Sequence, residues 1–301
     1  MGSPVEILCS EFGQRLGQSS LQEIVACLGE PAAGLPNQYV LEKAFAAADL
    51  DLRYLTFEVS SGGLADALRG ARALGLLGLQ LEAPHQSTAV ELIDKLTDVA
   101  NYVGAVDLVT RDGDQLRGDH SVGKAVSQCL AQQKANLRSK FVVFGTGAAA
   151  RSVVFESAMS GATEIVVVGR DRGRGRQLID SLIQRFEGDE KPDVACHILE
   201  GSYELPEDAN IIVRATSVGV AESDVSLPPS FRVCRPEAFV VDLEMADTMT
   251  PFLHAAEARG CRAIQGIDIW IQRAALAMKT WTGKDADRRV MREALEEFLM
   301  I

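Results

Sequence analysis

The chain has 301 residues, 47% hydrophobic and 24% charged, which excludes the disordered and fibrous classes and allows one large core or two ordinary ones. A formal net charge of −12 excludes a general nucleic-acid surface, which needs a basic face to displace counterions. No apolar run approaches the roughly 18 residues that span a bilayer.

A polar amphipathic lead-in occupies residues 5–22. Its start, Met1-Gly2-Ser3-Pro4-Val5-Glu6, lacks the basic flank and apolar stretch of a secretory signal, and Glu6 stands where a myristoylation pattern wants Ser or Thr. Glu23 to Leu28 then reads as a buried strand ending at Gly29. Apolar spacing predicts helices at 39–48 and 62–74 with a strand, Leu55 to Val59, between them. A short strand at 78–81, a helix at 87–101 and a strand from Ala105 to Val109 follow, before a turn at Asp112-Gly113. A second alternating unit begins with a helix near 122–134. It continues with strand 141–144, helix 148–159, strand 164–168, helix 173–186 and strands 194–198, 210–214 and 238–242, then helix 250–259 and strand 261–264. From Gly266 onward the pattern is wholly helical. Alternation of this kind predicts an α/β fold with mostly parallel sheets covered by helices. Cys9, Cys27, Cys129, Cys196, Cys234 and Cys261 are scattered without a CxxC pair, as expected of free thiols in a reducing compartment. The expectation is therefore a cytoplasmic protein, monomer or homodimer, that engages a small molecule and neither membrane nor nucleic acid.

The sharpest motif is Gly145-Thr146-Gly147-Ala148-Ala149-Ala150, a GxGxxA turn between an apolar strand and a helix. The first glycine permits the tight turn, the second lets backbone approach a diphosphate, and the small residue at 150 lets helix and strand pack closely. Unpaired N–H groups at the helix start then face the phosphates. Glycine turns are common in α/β proteins, but this one has the required context, with a second strand about 20 residues on. That strand leads into Arg170-Asp171-Arg172-Gly173-Arg174. Arginines favour the 2′-phosphate of NADP and an acidic residue the ribose hydroxyls of NAD, so NADP is expected, with NAD as the alternative.

The sequence resembles the shikimate/quinate dehydrogenase family over nearly all its length after about residue 23. The likeness is carried by Gly29-Glu30-Pro31, Ala44-Phe45, Leu52-Arg53-Tyr54, Gly78 to Pro84-His85 and Gly104-Ala105-Val106. It continues in Leu116-Arg117-Gly118, the glycine turn, Ala215-Thr216-Ser217-Val218-Gly219, Thr250-Pro251, Gly266, Ala274-Ala275 and Trp281-Thr282-Gly283. The resemblance implies two α/β domains with the active site in the cleft between them. A substrate domain would comprise 1–121 plus 267–301 and a Rossmann-type NAD(P)-binding domain 122–266. It also implies cofactor contacts at the glycine turn, Arg170, Asp171, Arg174, Thr216, Ser217 and Gly266.

The departures from the family are specific. Its catalytic lysine closes a GxNVTxPxK motif, and Gln86 holds that place here; its aspartate belongs to GxNTDG, and Val122 stands there. Hydride transfer at a hydroxyl needs a positioned proton acceptor, which neither an amide nor an alkyl group provides. Around the implied substrate pocket the family's two serines become Leu35 and Asn37, its threonine Glu82, its asparagine Asp107, its tyrosine Met245 and its glutamine Arg273. Two carboxylates would repel anionic shikimate unless Arg273 paired with one of them. His120 with Asp107, or His85 with Glu82, would offer a replacement proton-handling pair; a metal site built from them is the lesser alternative. His197 and His254 fall outside the pocket. Three readings are open: an NAD(P)-dependent oxidoreductase of a different hydroxylated substrate, a cofactor-binding pseudoenzyme or sensor, and weak residual shikimate dehydrogenase activity.

Overall fold

The computed structural model describes residues 22–186, 192–199, 203–216, 231 and 234–301. Most of the lead-in at 5–22, Cys9, and Ser217 with the two residues after it lie outside the described residues.

The first sheet is built from β1 (Glu23–Gly29), β2 (Leu52–Glu58), β3 (Gly78–Leu81), β4 (Lys95–Leu96), β5 (Leu108–Asp112) and β6 (Gln115–Asp119). Their order is β2-β1-β3-β5-β6-β4. β1 runs parallel to β2 and β3, and β4 parallel to β6, while β5 is antiparallel to both its neighbours. Between them lie α1 (Asn37–Ala47), α2 (Leu64–Ala73), α3 (His85–Thr88) and α4 (Asp98–Val103). One face of this sheet buries Val25, Cys27 and Tyr54 with α1; the other buries Ala26, Leu28, Leu79 and Leu81 with α2.

After α5 (Val122–Gln132) comes the second sheet: β7 (Lys140–Phe144), β8 (Glu164–Gly169), β9 (Asp193–Ile198), β10 (Ile211–Arg214), β11 (Phe239–Asp242) and β12 (Arg262–Ile264). The helices α6 (Ala148–Met159), α7 (Arg172–Ile183) and α8 (Pro251–Glu257) intervene. The order is β12-β11-β10-β7-β8-β9 and every recorded pairing is parallel. Its inner strands are continuous apolar runs because both faces are covered. Alternate residues enter opposite cores: Val143, Val167 and Val213 one, Val142, Val166 and Ile212 the other.

The chain closes with α9 (Gly266–Thr282) and α10 (Arg288–Leu299). α9 belongs to both halves. Ile267, Ile271, Ala274, Met278 and Trp281 pack into the first core, while Ile269 and Leu276 enter the second. Its start is wedged under the Glu244 carbonyl, which a Cβ on Gly266 would overlap. At its far end the Trp281 indole lies on Gly78 and donates to the Val109 carbonyl at 3.0 Å.

Several local expectations need correction. The helix expected at 87–101 is broken: α3 stops early, Lys95 and Leu96 pair with Arg117 and Gly118, and Thr97 caps a new helix by accepting from the Ala100 N–H. Asp94 fixes the break, because its carboxylate is held by Arg72 at 2.6 Å and by the Leu116 N–H at 2.7 Å. The strand expected at 105–109 pairs only from Leu108. Beyond the Asp112-Gly113 turn the chain forms a further strand, β6, which completes a hairpin with β5. The last residues are two helices, separated where Gly283 turns left-handed at φ 70°. Tyr102, Val103 and Ala105, expected in the first unit, pack into the second core, and the Tyr102 hydroxyl donates to the Leu178 carbonyl.

Candidate functional site

The first of two crevices lies at the carboxyl ends of β7 and β10. From these neighbouring strands the chain departs toward opposite edges of the sheet, the switch point where open α/β sheets bind ligands. Gly145 sits at φ +118°, and a Cβ there would stand 2.6 Å from the Ala215 carbonyl oxygen, so the turn admits no side chain. Gly147 differs. It is exposed, in extended backbone, with nothing within 4 Å of where a Cβ would stand. The protein does not need that glycine for its own packing, whereas a ligand lying on the turn would. No side chain caps α6, whose first residues Ala148 and Ala149 are half-buried while Ala150 is fully buried against the strand. The Thr146 methyl packs on Gly169. Backbone donors, a bare helix end and an open glycine fit the diphosphate of a dinucleotide.

At the end of β8, Asp171 is already engaged. It caps α7, accepting from the Arg174 N–H at 3.0 Å. Arg170, Arg172 and Arg174 stand exposed around it. Thr216 is exposed beyond Ala215. Gly266 is buried, and its lack of a side chain answers to Glu244. One feature at this end went unseen in the sequence. Arg214 binds Asp242 bidentately, at 2.8 and 2.6 Å, and also pairs with Glu244, while the Thr250 hydroxyl donates to Asp242.

The second crevice lies at the ends of β1 and β3, under α9. Asp107, 2% exposed, accepts from the Ser121 N–H at 2.7 Å and the Ser121 hydroxyl at 2.8 Å, and Arg273 reaches it at 3.1 Å. Burial opposes ionisation of Asp107, but the His120 ring, Arg273 and both Ser121 donors outweigh it and hold its pKa below the usual carboxylate value. Glu82 faces the same guanidinium. Burial pushes its carboxyl upward and Asp107 adds to the rise, against the pull of Arg273 and of a hydrogen bond from Asn37. Asn37 also donates to Gln80 Oε1 at 3.2 Å, and the Tyr54 hydroxyl to the same oxygen at 2.5 Å. Strand alternation puts Cys27, Tyr54, Gln80 and Glu82 on one face. Burial pushes the Cys27 thiol up to about 12, so it stays protonated.

The structure brings Asn37, Glu82, Asp107 and Arg273 together. His120 lies close enough to act on Asp107 through charge, but no hydrogen bond joins the two side chains, and Asp107 is held by Ser121 and Arg273. His120 is buried with its Nδ1 unpartnered, and burial lowers its pKa, keeping the ring neutral. His85 meets Glu82 through backbone, its N–H donating to the Glu82 carbonyl at 2.9 Å, and both its ring nitrogens are buried without a partner. The Gln86 amide donates to the Leu81 carbonyl at 2.9 Å. Val122 lies in the second core, Leu35 packs on the first, and Met245 is 39% exposed. Ser121, Tyr54, Gln80 and Cys27 were missed by sequence reasoning. Their one signal was parity along neighbouring strands, or adjacency to Val122 for Ser121. Among the described residues no group of three or more His, Cys, Asp or Glu is placed to hold a metal, and no helix is long and apolar enough to cross a membrane.

Comparison with known proteins covers most of the chain. The family model for the shikimate dehydrogenase substrate binding domain matches residues 32–109. A shikimate dehydrogenase (NADP(+)) of Moorella thermoacetica is 32% identical over 279 residues, 91% of this chain and 92% of that protein. One from Methanopyrus kandleri is also 32% identical, covering 92% of this chain and 96% of its own. In structure, the ligand-free 5-ketofructose reductase of a Gluconobacter species superposes with a TM-score of 0.86 at 26% identity, over 93% of this chain and 99% of that one. Shikimate 5-dehydrogenase of Listeria monocytogenes, in complex with shikimate and NAD, gives 0.83 at 25%, over 92% and 97%.

Proposed function

The chain belongs to the shikimate dehydrogenase family, and we propose that it is an NADP-dependent oxidoreductase acting on a small hydroxylated substrate other than shikimate. One observation carries the departure from shikimate. Where the family's proton-handling lysine and aspartate are expected, this chain has Gln86, tied to the Leu81 carbonyl, and Val122, packed in a core. The Gluconobacter reductase, named for a ketose, is similar in fold over nearly the whole chain and supports a wider range of substrates.

NADP would rest its diphosphate on the Gly145–Ala150 turn and the start of α6, and when bound it supplies or accepts the hydride. Arg170 and Arg174, exposed at the end of β8, are suited to a 2′-phosphate, and Asp171, occupied in capping α7, is less free to bind a ribose as it would in an NAD enzyme. At the second crevice two groups suit a proton held or moved at the substrate's oxygen. Glu82 has a carboxyl raised by burial, and His120 has a neutral ring with an unpartnered Nδ1. Asp107 is poorly suited to take a proton, because Ser121 and Arg273 already stabilise its charge. It positions Arg273 instead. His85, with no polar partner on its ring, packs.

NADPH and NADH titrations, then turnover assays on shikimate, quinate, polyols, ketoses and hydroxy acids, test this reading. The expected result is NADPH binding, with some polyhydroxy or keto compound preferred over shikimate by about a hundredfold or more, the low end of what proton-transfer catalysis contributes. Shikimate turning over fastest overturns it. Binding with no turnover anywhere supports the second reading, a cofactor-binding pseudoenzyme, which the same two replacements favour.

A further inference from the structure

The second crevice carries an inference about the class of its ligand, resting on the proposal that this crevice is the substrate site. The cluster of Glu82, Asp107, Ser121 and Arg273 holds one cation and two carboxylates. Arg273 already has its charge offset within the cluster. Its Nη2 is 3.1 Å from Asp107 Oδ2, its Nε donates to Ser121 Oγ at 3.4 Å, and Glu82 acts on it electrostatically as well. Ser121 in turn gives both its donors to Asp107, which locks the carboxylate facing the guanidinium. With Glu82 ionised the cluster has a net negative charge, and with Glu82 protonated it has none; in neither state is it positive. Among the described residues the polar groups beside it on this sheet face are uncharged: Asn37 and Gln80, with the Tyr54 hydroxyl buried behind them and donating to Gln80. The Asn37 Oδ1 is fully buried with no donor of its own, in a residue 2% exposed. Such a surface exchanges hydrogen bonds with hydroxyl groups and offers a carboxylate no uncompensated positive charge.

We propose that the substrate is an uncharged polyhydroxy or polyhydroxy-keto compound, and that Asp107 determines this specificity by pairing with Arg273 and so cancelling the cation that a carboxylate would need. Asp107 is here a positioning residue that acts through Arg273.

The test uses the full chain with NADP(H) and matched ligand pairs that differ only in charge, such as quinate and its methyl ester, or a sugar acid and the corresponding polyol. Both kcat/KM and equilibrium binding are measured, the latter by calorimetry with the cofactor present. The neutral member of each pair is expected to be favoured at least tenfold. Asp107→Asn, which frees Arg273 while keeping the shape, should shrink or invert that preference at least tenfold, mostly through the anion. Should D107N not fold, Glu82→Gln provides the second measurement, read in equilibrium binding alone: removing one carboxylate should raise affinity for the anionic member of each pair relative to the neutral one. Carboxylates preferred by the wild type, an unchanged preference in both variants, or no binding of either class overturns the inference. Ordered binding of neutral over anionic ligands without turnover supports it while removing the oxidoreductase reading.

Discussion

The crevice beside β7 is specified by backbone: a glycine at φ +118° beneath the Ala215 carbonyl, an open glycine beside it and the bare end of α6. The crevice beneath α9 is specified by side chains from β1, β3, the segment before β5 and α9 itself, locked by Ser121 and an ion pair. A backbone site tolerates drift in everything but small residues, so its ligand class stays fixed. A side-chain site changes its ligand whenever two or three positions change together. On the function proposed above, the molecule keeps the first and has rebuilt the second.

That contrast predicts unequal responses to substitution. Asp107→Ala leaves Arg273 buried without its partner and should cost about 3–5 kcal/mol in urea unfolding, the largest single effect expected. A loss below about 1 kcal/mol would mean that the ion pair does not organise the crevice. Gly145→Ala should cost about 1–3 kcal/mol from backbone strain and abolish NADPH binding in a fluorescence titration. Asp171→Ala removes the α7 cap and should cost about 1 kcal/mol, yet leave NADPH affinity within about twofold; selective loss of NADH binding would instead make Asp171 a ribose ligand. Gly147→Val should barely move the melting curve, by less than about 0.5 kcal/mol, while weakening NADPH binding by tenfold or more.

The pH dependence sharpens the same comparison on the side-chain crevice. Glu82 has a folded-state pKa above its unfolded value, so its burial costs stability at neutral pH and the cost is relieved as pH falls through the folded value. Asp107, depressed on folding, contributes stability above its unfolded pKa and loses it as pH falls through the folded value. His120, also depressed, favours folding above about pH 6.5, and that contribution declines as pH drops through its folded value. Glu82→Gln should therefore be more stable than the wild type at pH 8, with the gain fading by about pH 4. Denaturation across that range checks the sign. A variant less stable at pH 8 would show that the Arg273 and Asn37 contacts outweigh the burial cost.

The parallel strands β7, β8, β10 and β11 were readable because strands covered on both faces are continuous apolar runs, and the glycine turn because its geometry demands particular residues. The stretch 87–101 was not readable. Val90, Ile93 and Leu96 have helical spacing, but Asp94 is captured by Arg72 and Leu116, partners more than 20 residues away. At the crevice, Glu82, Asp107 and Arg273 stood out because the family resemblance implies neutral residues at those places. The hydrogen bonds among them did not. A pairing of His120 with Asp107 was as reasonable from sequence as the observed capture by Ser121 and Arg273, since side-chain direction at the end of β6 is decided by packing that spacing does not encode.

The placement of α9 has a consequence for how the two halves keep register. The helix is jammed at Gly266 against one sheet and at Trp281 against the other, so it behaves as a rod of fixed span, about 25 Å for 17 residues. Arg273 lies two turns in from Gly266, on the same side of the rod. Adding one residue between them would swing the guanidinium by about 100° and leave Asp107 without its cation, held by Ser121 alone. The spacing between the Glu244 contact and the Arg273 guanidinium is thus counted out in residues of one helix, a form of measurement that loop slack cannot blur.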